Sequence, residues 1–319
     1  MKELESIERA ISRQAFGKNP ASLYEPIRYI MSLGGKRLRP MLVVQAYRMY
    51  KDDWKSILPY AVAVEAFHNF TLMHDDIMDK APLRRGQETV HTKWNINTAI
   101  LSGDVMLVRV YDMLNALPDD ILRRALHRFS CTAREVCEGQ QLDMDFETMD
   151  RVSEKEYITM IRLKTAVLLG FSLEFGAMLA GAPEEECRAL YDFGVSIGIG
   201  FQLKDDLLDV YADKDKFGKQ VGGDIISNKK TFLLIHARER AKGKVKKELE
   251  QWISATRFRK AEKVKAVTAI YDSLGIRELT MQKIGKHFDA GFTSLSKIGS
   301  EDRTAPIRDY ARFLMDRQH

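Results

Sequence analysis

The sequence predicts an all-α protein, a large helical bundle, and three observations carry that prediction. Prolines number only 8 in 319 residues, and the alternating β-branched runs of half-buried strands are scarce. Apolar residues recur at helical spacing over 7–14, 38–50, 60–79, 97–116, 121–146, 153–180, 184–213, 231–241 and 264–275. Between these runs stand turn residues: Gly34-Gly35, Pro82, Gly86, Pro118-Asp119, Gly181-Ala182-Pro183 and Gly222-Gly223. No linker long enough to separate domains interrupts them, so a single domain over residues 1–319 is expected. The runs 158–179 and 190–203 are apolar on more than one face. Such helices belong in the middle of a bundle or at a subunit interface, which predicts a homodimer.

Composition narrows the function class. The chain is 45% hydrophobic and 30% charged, with 50 basic residues against 45 acidic ones, a balance that does not call for a nucleic-acid partner. The Lys/Arg-dense stretch 238–265 is interleaved with glutamates and reads as a solvated helical face. Cys131, Cys137 and Cys187 form no CxxC spacing and leave an odd count, which argues against a disulfide framework or a zinc cluster and fits a reducing compartment. The opening MKELESIERAISRQ is not a signal sequence, and the longest apolar run, 167–182, is broken by Glu174 and short for a bilayer. A soluble, cytoplasmic protein without membrane insertion is therefore expected.

Two acidic motifs dominate the chain. His74-Asp75-Asp76-Ile77-Met78-Asp79 closes the apolar run 60–79, and on a helix Asp75 and Asp79 lie one turn apart with Asp76 beside them. Gln202-Leu203-Lys204-Asp205-Asp206-Leu207-Leu208-Asp209 closes a second apolar run, where Gly198, Gln202, Asp205 and Asp209 share one stripe. Carboxylates this close repel one another unless a cation neutralises them, and Mg²⁺ is the usual partner where phosphates share the site. One acidic helix end is ordinary solvated surface. Two of them, facing one another, would surround a cavity able to hold several Mg²⁺ ions and a diphosphate.

Cationic groups accompany the motifs. Gly34-Gly35-Lys36-Arg37-Leu38-Arg39-Pro40 is a glycine turn followed by three cations in four residues; glycines admit an anion close to the backbone, and guanidinium forks match phosphate oxygens. Arg84-Arg85-Gly86 follows the first motif as a short loop able to fold back over a bound phosphate. Lys164-Thr165 comes later, then Lys219, Lys229 and Lys230 around 213–230, a stretch with the composition of a lid. The set points to two polyphosphate sites, one reached through metal and one through cations directly.

The ordered motifs GGKRLRP, HNFTLMHDDIMD, RRG, GQQLD, RLKTA, FQLKDDLLD and GKQVGGDI, spanning roughly 34–230, resemble the trans-isoprenyl diphosphate synthases, or polyprenyl synthetase family, and most of all its short-chain geranylgeranyl and farnesyl members. That resemblance implies an all-helical, homodimeric isoprenoid synthase fold around a deep apolar cavity, and head-to-tail condensation of isopentenyl diphosphate with an allylic diphosphate. It implies Mg²⁺, up to three ions, on Asp75, Asp76, Asp79, Asp205, Asp206 and Asp209. Lys36, Arg39, His68 and Arg85 match the isopentenyl diphosphate contacts. Arg84, Lys164, Thr165, Gln202, Lys219 and Lys229 match groups around the allylic diphosphate. Asp75, Asp79, Arg84, Lys164 and Lys219 would carry ionisation of the allylic substrate, and His74 has no motif role.

The resemblance also bears on product length. Phe70 and Thr71 occupy the positions five and four before the first aspartate, and no residue is inserted within DDIMD, as in short-chain C20 synthases. Five residues span about 7.5 Å of helix, but an ideal wheel sets Phe70 about 140° from Asp75; Phe67, one turn below Thr71, is the alternative floor. A C20 product is expected, with C15 next and a longer chain also open. A class I terpene cyclase would not need GGKRLRP for a second diphosphate, and a non-catalytic prenyl synthase subunit typically lacks one acidic motif.

Overall fold

The computed structural model describes residues 2–212, 222–299 and 301–316. In chain order the elements are α1 (Lys2–Arg13), α2 (Ala21–Ser32), α3 (Leu38–Arg48), α4 (Leu58–Met78), a hairpin of β1 (Leu83–Arg84) and β2 (Gln87–Glu88), α5 (Val90–Lys93), α6 (Ile96–Leu114) and α7 (Asp119–Thr148). There follow α8 (Glu154–Ile161), a π-helical turn (Arg162–Ala166), α9 (Val167–Leu179), α10 (Glu184–Tyr211), α11 (Gly223–Ser227), α12 (Phe232–Arg240), α13 (Gly243–Ser254), α14 (Lys260–Ser273), α15 (Ile276–Leu295) and α16 (Glu301–Asp316). The protein is all-α, as its helical periodicity predicts. Among the described residues no helix is long and apolar enough to cross a membrane.

Local chemistry sets several boundaries. Asn95 caps α6 by accepting the Thr98 N–H at 2.8 Å. Ser153 and Glu156 form a reciprocal capping box at the start of α8, satisfying backbone donors that the first helical turn leaves open. The hairpin turns on Arg85 and Gly86, both at positive φ (54° and 76°), the backbone a two-residue turn of matched twist requires. Of the helices that lie outside the periodic runs of the sequence, three show why. One, α2, contains Pro26, a residue that argues against a helix interior. Another, α15, buries Ile276, Thr280, Ile284, Phe288, Gly291 and Leu295, a stripe diluted by the charged residues between. The third, α16, carries Pro306.

The chain divides into two compact units, Met1–Thr132 with Phe171–Tyr191, and Ala133–Gly170 with Asp192–His319. In the first unit α4 is buried from Ala61 to Phe67, and His74 lies over Gly103 of α6, where a Cβ would come within 2.2 Å of its Nε2. His74 also meets the Ile100 carbonyl at 3.2 Å, so the histidine without a motif role packs α4 on α6. Glu174, the charge within the apolar run, is buried and held by Arg128. In the second unit, Gly194 of α10 lies against Gly170 and Gly198 against Ala166, with a Cβ at either glycine only 2.6–2.7 Å from the facing backbone. Missing side chains thus bring these helices together.

Gly176 of α9 faces the Val43 carbonyl oxygen at 2.1 Å from where a Cβ would stand. Backbone cannot step aside as a side chain can, so Gly176→Ala is expected to cost about 1–3 kcal/mol. Urea unfolding of the variant checks this; an unchanged midpoint would show that α9 and α3 separate freely.

Candidate active site

The candidate site residues of the first unit gather around the C-terminal end of α4. Helix ends of this polarity repel anions, and here Asp75 and Asp76 occupy the last turn with Asp79 as the C-cap. Asp76 is 2% exposed and accepts both Arg84 Nε (2.8 Å) and Arg84 Nη2 (2.7 Å), a bidentate fork. Asp75 is half-buried and Asp79 exposed, on the face of the helix shared by Thr71 and His68.

The cations of the glycine turn separate by role. Arg37 is buried, sits in the left-handed region (φ 45°) and binds Glu65 (2.8 Å), Glu8 (2.9 Å) and the Met31 carbonyl (2.8 Å). It is a strut tying the turn to α4 one turn below His68. Arg39 Nη1 lies 3.0 Å from His68 Nε2; a guanidinium only donates, so the imidazole accepts at Nε2 and keeps its proton on Nδ1. Burial first, then the nearby Arg39 charge, hold the His68 pKa well below the usual range. Burial and, among neighbouring charges, that of Arg85 push Arg39 down to about 10, and its buried Nε has no hydrogen-bond partner among the described residues. Arg85 donates to the Gly34 carbonyl, and a Cβ on Gly35 would meet its guanidinium at 2.8 Å. Gly35 therefore makes room for Arg85, and Arg39, His68 and Arg85 lie close together, a set whose donors suit an anion; Lys36 stands exposed in the same turn.

Below this set the aromatic residues of α4 pack on one another and on neighbouring rings. The Phe70 ring packs edge-on to His74 at 4.8 Å, and Phe67 meets Phe70 at 5.7 Å and Phe129 at 5.1 Å. Thr71, one turn below Asp75, bonds its hydroxyl to the His68 carbonyl.

The second unit repeats the arrangement. Asp205, Asp206 and Asp209 stand near the C-terminal end of α10; Asp206 is 5% exposed and accepts from the Tyr157 hydroxyl and from Gln202 Nε2 (3.1 Å). Gln202 in turn accepts from Thr165 at 3.2 Å. Thr165 and Lys164 lie in the π-helical turn, a geometry frequent at functional sites, where periodicity predicts an unbroken helix over 153–180. The turn fits because Gly139 of α7 leaves room: a Cβ there would lie 2.2 Å from the Lys164 backbone nitrogen. Asp209 accepts the Asp224 N–H at 2.9 Å. Asp143 of α7 meets Lys164 at 2.7 Å and Lys229 at 3.7 Å. Lys219 and residues 213–221 of the expected lid lie outside the described residues.

Asp143, Asp224 and Tyr157 have no role in the sequence reading. Asp143 and Asp224 stand within its GQQLD and GKQVGGDI motifs, which is the signal that could have found them; Tyr157 has none.

A divalent cation fits this chemistry. Burial, with the charges of Asp206 and Asp209, pushes Asp224 up to about 7, and burial pushes Asp206 up to about 6. Both motifs also face the negative ends of helix dipoles. Among the described residues no three acidic, histidine or cysteine side chains already converge on one point, so the fit rests on charge and donor type: oxygen ligands suited to Mg²⁺.

As a class, this architecture is the all-α isoprenoid synthase fold. A crystal structure of geranylgeranyl pyrophosphate synthase superposes with a TM-score of 0.92 and 41% identity, covering 100% of this chain and 97% of that one. The polyprenyl synthetase family pattern matches residues 20–271. Geranylgeranyl diphosphate synthase of Methanosarcina mazei is 42% identical over 73% of each chain. Geranylgeranyl pyrophosphate synthase of Geoglobus acetivorans is 36% identical over 99% of this chain and 96% of its own. The chain belongs to the polyprenyl synthetase family.

A carboxyl whose pKa folding raises is favourable while protonated and becomes costly once ionised. Without metal, the contribution of Asp206 and Asp224 to stability therefore falls as pH rises from about 4 through about 7. Mg²⁺ binds the ionised form and should raise the melting temperature more at pH 8 than at pH 5. Melting curves with Mg²⁺ and with EDTA check this; an equal increment at both pH values would contradict it.

Proposed function

We propose that the protein is a Mg²⁺-dependent prenyltransferase that condenses isopentenyl diphosphate head-to-tail with an allylic diphosphate to make geranylgeranyl diphosphate. The observation that carries the reading is the pairing of two aspartate motifs on helix C-termini with two separate cationic sets. A class I terpene cyclase would need only one diphosphate-binding set.

Asp75, Asp76, Asp79, Asp205, Asp206 and Asp209 would hold the metal, Asp76 oriented by Arg84 and Asp206 by Tyr157 with Gln202. When bound, Mg²⁺ supplies positive charge to the diphosphate oxygens. Arg84, Lys164, Thr165, Gln202, Lys219 and Lys229 bind the allylic diphosphate. As the allylic C–O bond breaks, the bonding pair leaves with the diphosphate, and the Lys164, Lys219 and Arg84 charges stabilise it. Lys36, Arg39, neutral His68 and Arg85 hold isopentenyl diphosphate so that its double bond meets the allylic carbon, turning a bimolecular encounter into a positioned one. The new carbon–carbon bond forms from that π pair; a proton then passes to the departed diphosphate, leaving a longer allylic product. Apolar surroundings keep water from the cation.

The chain acts as one catalytic domain, cytoplasmic and homodimeric. Leu101 (58% exposed) and Val108 (59%), two turns apart on α6, support the dimer by presenting apolar surface.

Incubation with isopentenyl diphosphate and dimethylallyl, geranyl or farnesyl diphosphate, with chromatography of the dephosphorylated products, tests the activity. Asp75→Ala should lower kcat/KM by about 10²-fold or more with the fold intact; near-normal turnover would sink the assignment. For product length, Phe70→Ala should extend the product beyond C20. An unchanged product would pass the role of floor to Phe67 or Thr71.

A further inference from the structure

Lys263, in the first turn of α14, is 1% exposed, and among the described residues no carboxylate pairs with it. Its ammonium instead donates to Asn228 Oδ1 at 2.7 Å and lies 3.4 Å from the Ile226 carbonyl, 4.3 Å from the Phe258 ring centroid. An ammonium without a counter-charge is expensive to bury. A site kept on those terms calls for a use that an apolar side chain would not serve.

The contacts indicate the use. Asn228 caps the C-terminus of α11 in the left-handed region, φ 55° and ψ 35°, and its amide donates to the Ile253 carbonyl at 2.9 Å. At the other end of α11, a Cβ on Gly222 would meet Val264, the neighbour of Lys263, at 2.6 Å. The first turn of α14 thus seats both ends of the segment 222–228. That segment carries Asp224, whose N–H binds Asp209 (2.9 Å) and whose carbonyl accepts the Lys229 N–H (2.9 Å). Lys229 directly follows the clamped asparagine and reaches Asp143.

We infer that Lys263 is a positioning residue: by clamping Asn228 in its left-handed conformation it holds Asp224 against Asp209 and aims Lys229 at the allylic diphosphate. The inference rests on the allylic role proposed above for Lys229. It assigns a role to a lysine outside every motif of the sequence, in a stretch whose charges otherwise read as solvated.

Lys263→Met keeps an unbranched side chain one atom shorter and removes its donors. The variant should raise KM for the allylic diphosphate about tenfold, the worth of one hydrogen bond to a charged group, while KM for isopentenyl diphosphate stays within about twofold. Asn228→Gly accepts the same φ without strain and removes the acceptor, so it should give a similar selective rise. Combined, the two should do no more than either alone, the signature of residues acting as one unit. Equal changes in both KM values, no change in folded Lys263→Met protein, or additive effects would overturn the inference. If Lys263→Met does not fold by circular dichroism, Asn228→Gly alone decides, and an unchanged allylic KM refutes the role. Wild-type protein that fails to consume isopentenyl diphosphate would instead refute the parent reading.

Discussion

Aspartates at the carboxyl ends of apolar helices are the constraint on which the rest of the molecule depends. The last turn of a helix already presents unpaired carbonyls, and α4 and α10 add three carboxylates apiece. Each helix answers in the same way. The second aspartate of the motif turns inward and is bound by protein donors, Arg84 for Asp76 and Tyr157 with Gln202 for Asp206. The first and last remain on the more open face. Asp76 and Asp206 are thus oriented from within, and the three carboxylates of each motif together give a negative potential that a hard cation complements.

Holding those donors in register falls to close backbone contacts. Gly198 on Ala166 brings α10 near enough to the π-helical turn for Gln202 to meet Thr165, and Gly139 on Lys164 does the same for α7. Gly35 against Arg85 has a similar effect in the glycine turn. In each case the absent Cβ sets a distance, and a side chain several residues away benefits. Such glycines are specified by their neighbours rather than by any ligand.

Much of this was legible in the sequence and some was not, for identifiable reasons. Helical spacing located α4, α6, α7 and α10 because their buried faces are continuous. Spacing missed α15, whose apolar positions every third or fourth residue are separated by Lys and Glu, and α2, whose Pro26 reads as a breaker. Within the candidate site, the motif residues announce themselves by composition, yet composition cannot say which way each faces. Arg37 looks like one of three anion-binding cations and is a buried strut to Glu65. Tyr157 and Lys263 escape notice because their partners lie 49 and 35 residues away. Their importance is a property of pairs, which a local pattern does not record.

The π-helical turn at Arg162–Ala166 has a bearing on how this region tolerates insertions and deletions. A wide turn spends one residue more than an α-turn for the same advance. The side chains that follow the turn are therefore rotated out of phase with those of α8. Removing a single residue from Arg-Leu-Lys-Thr-Ala would restore a perfect helix and, by doing so, swing Lys164 and Thr165 or the whole apolar set from Val167 onward onto the wrong face. Regularity here would be a frameshift in three dimensions.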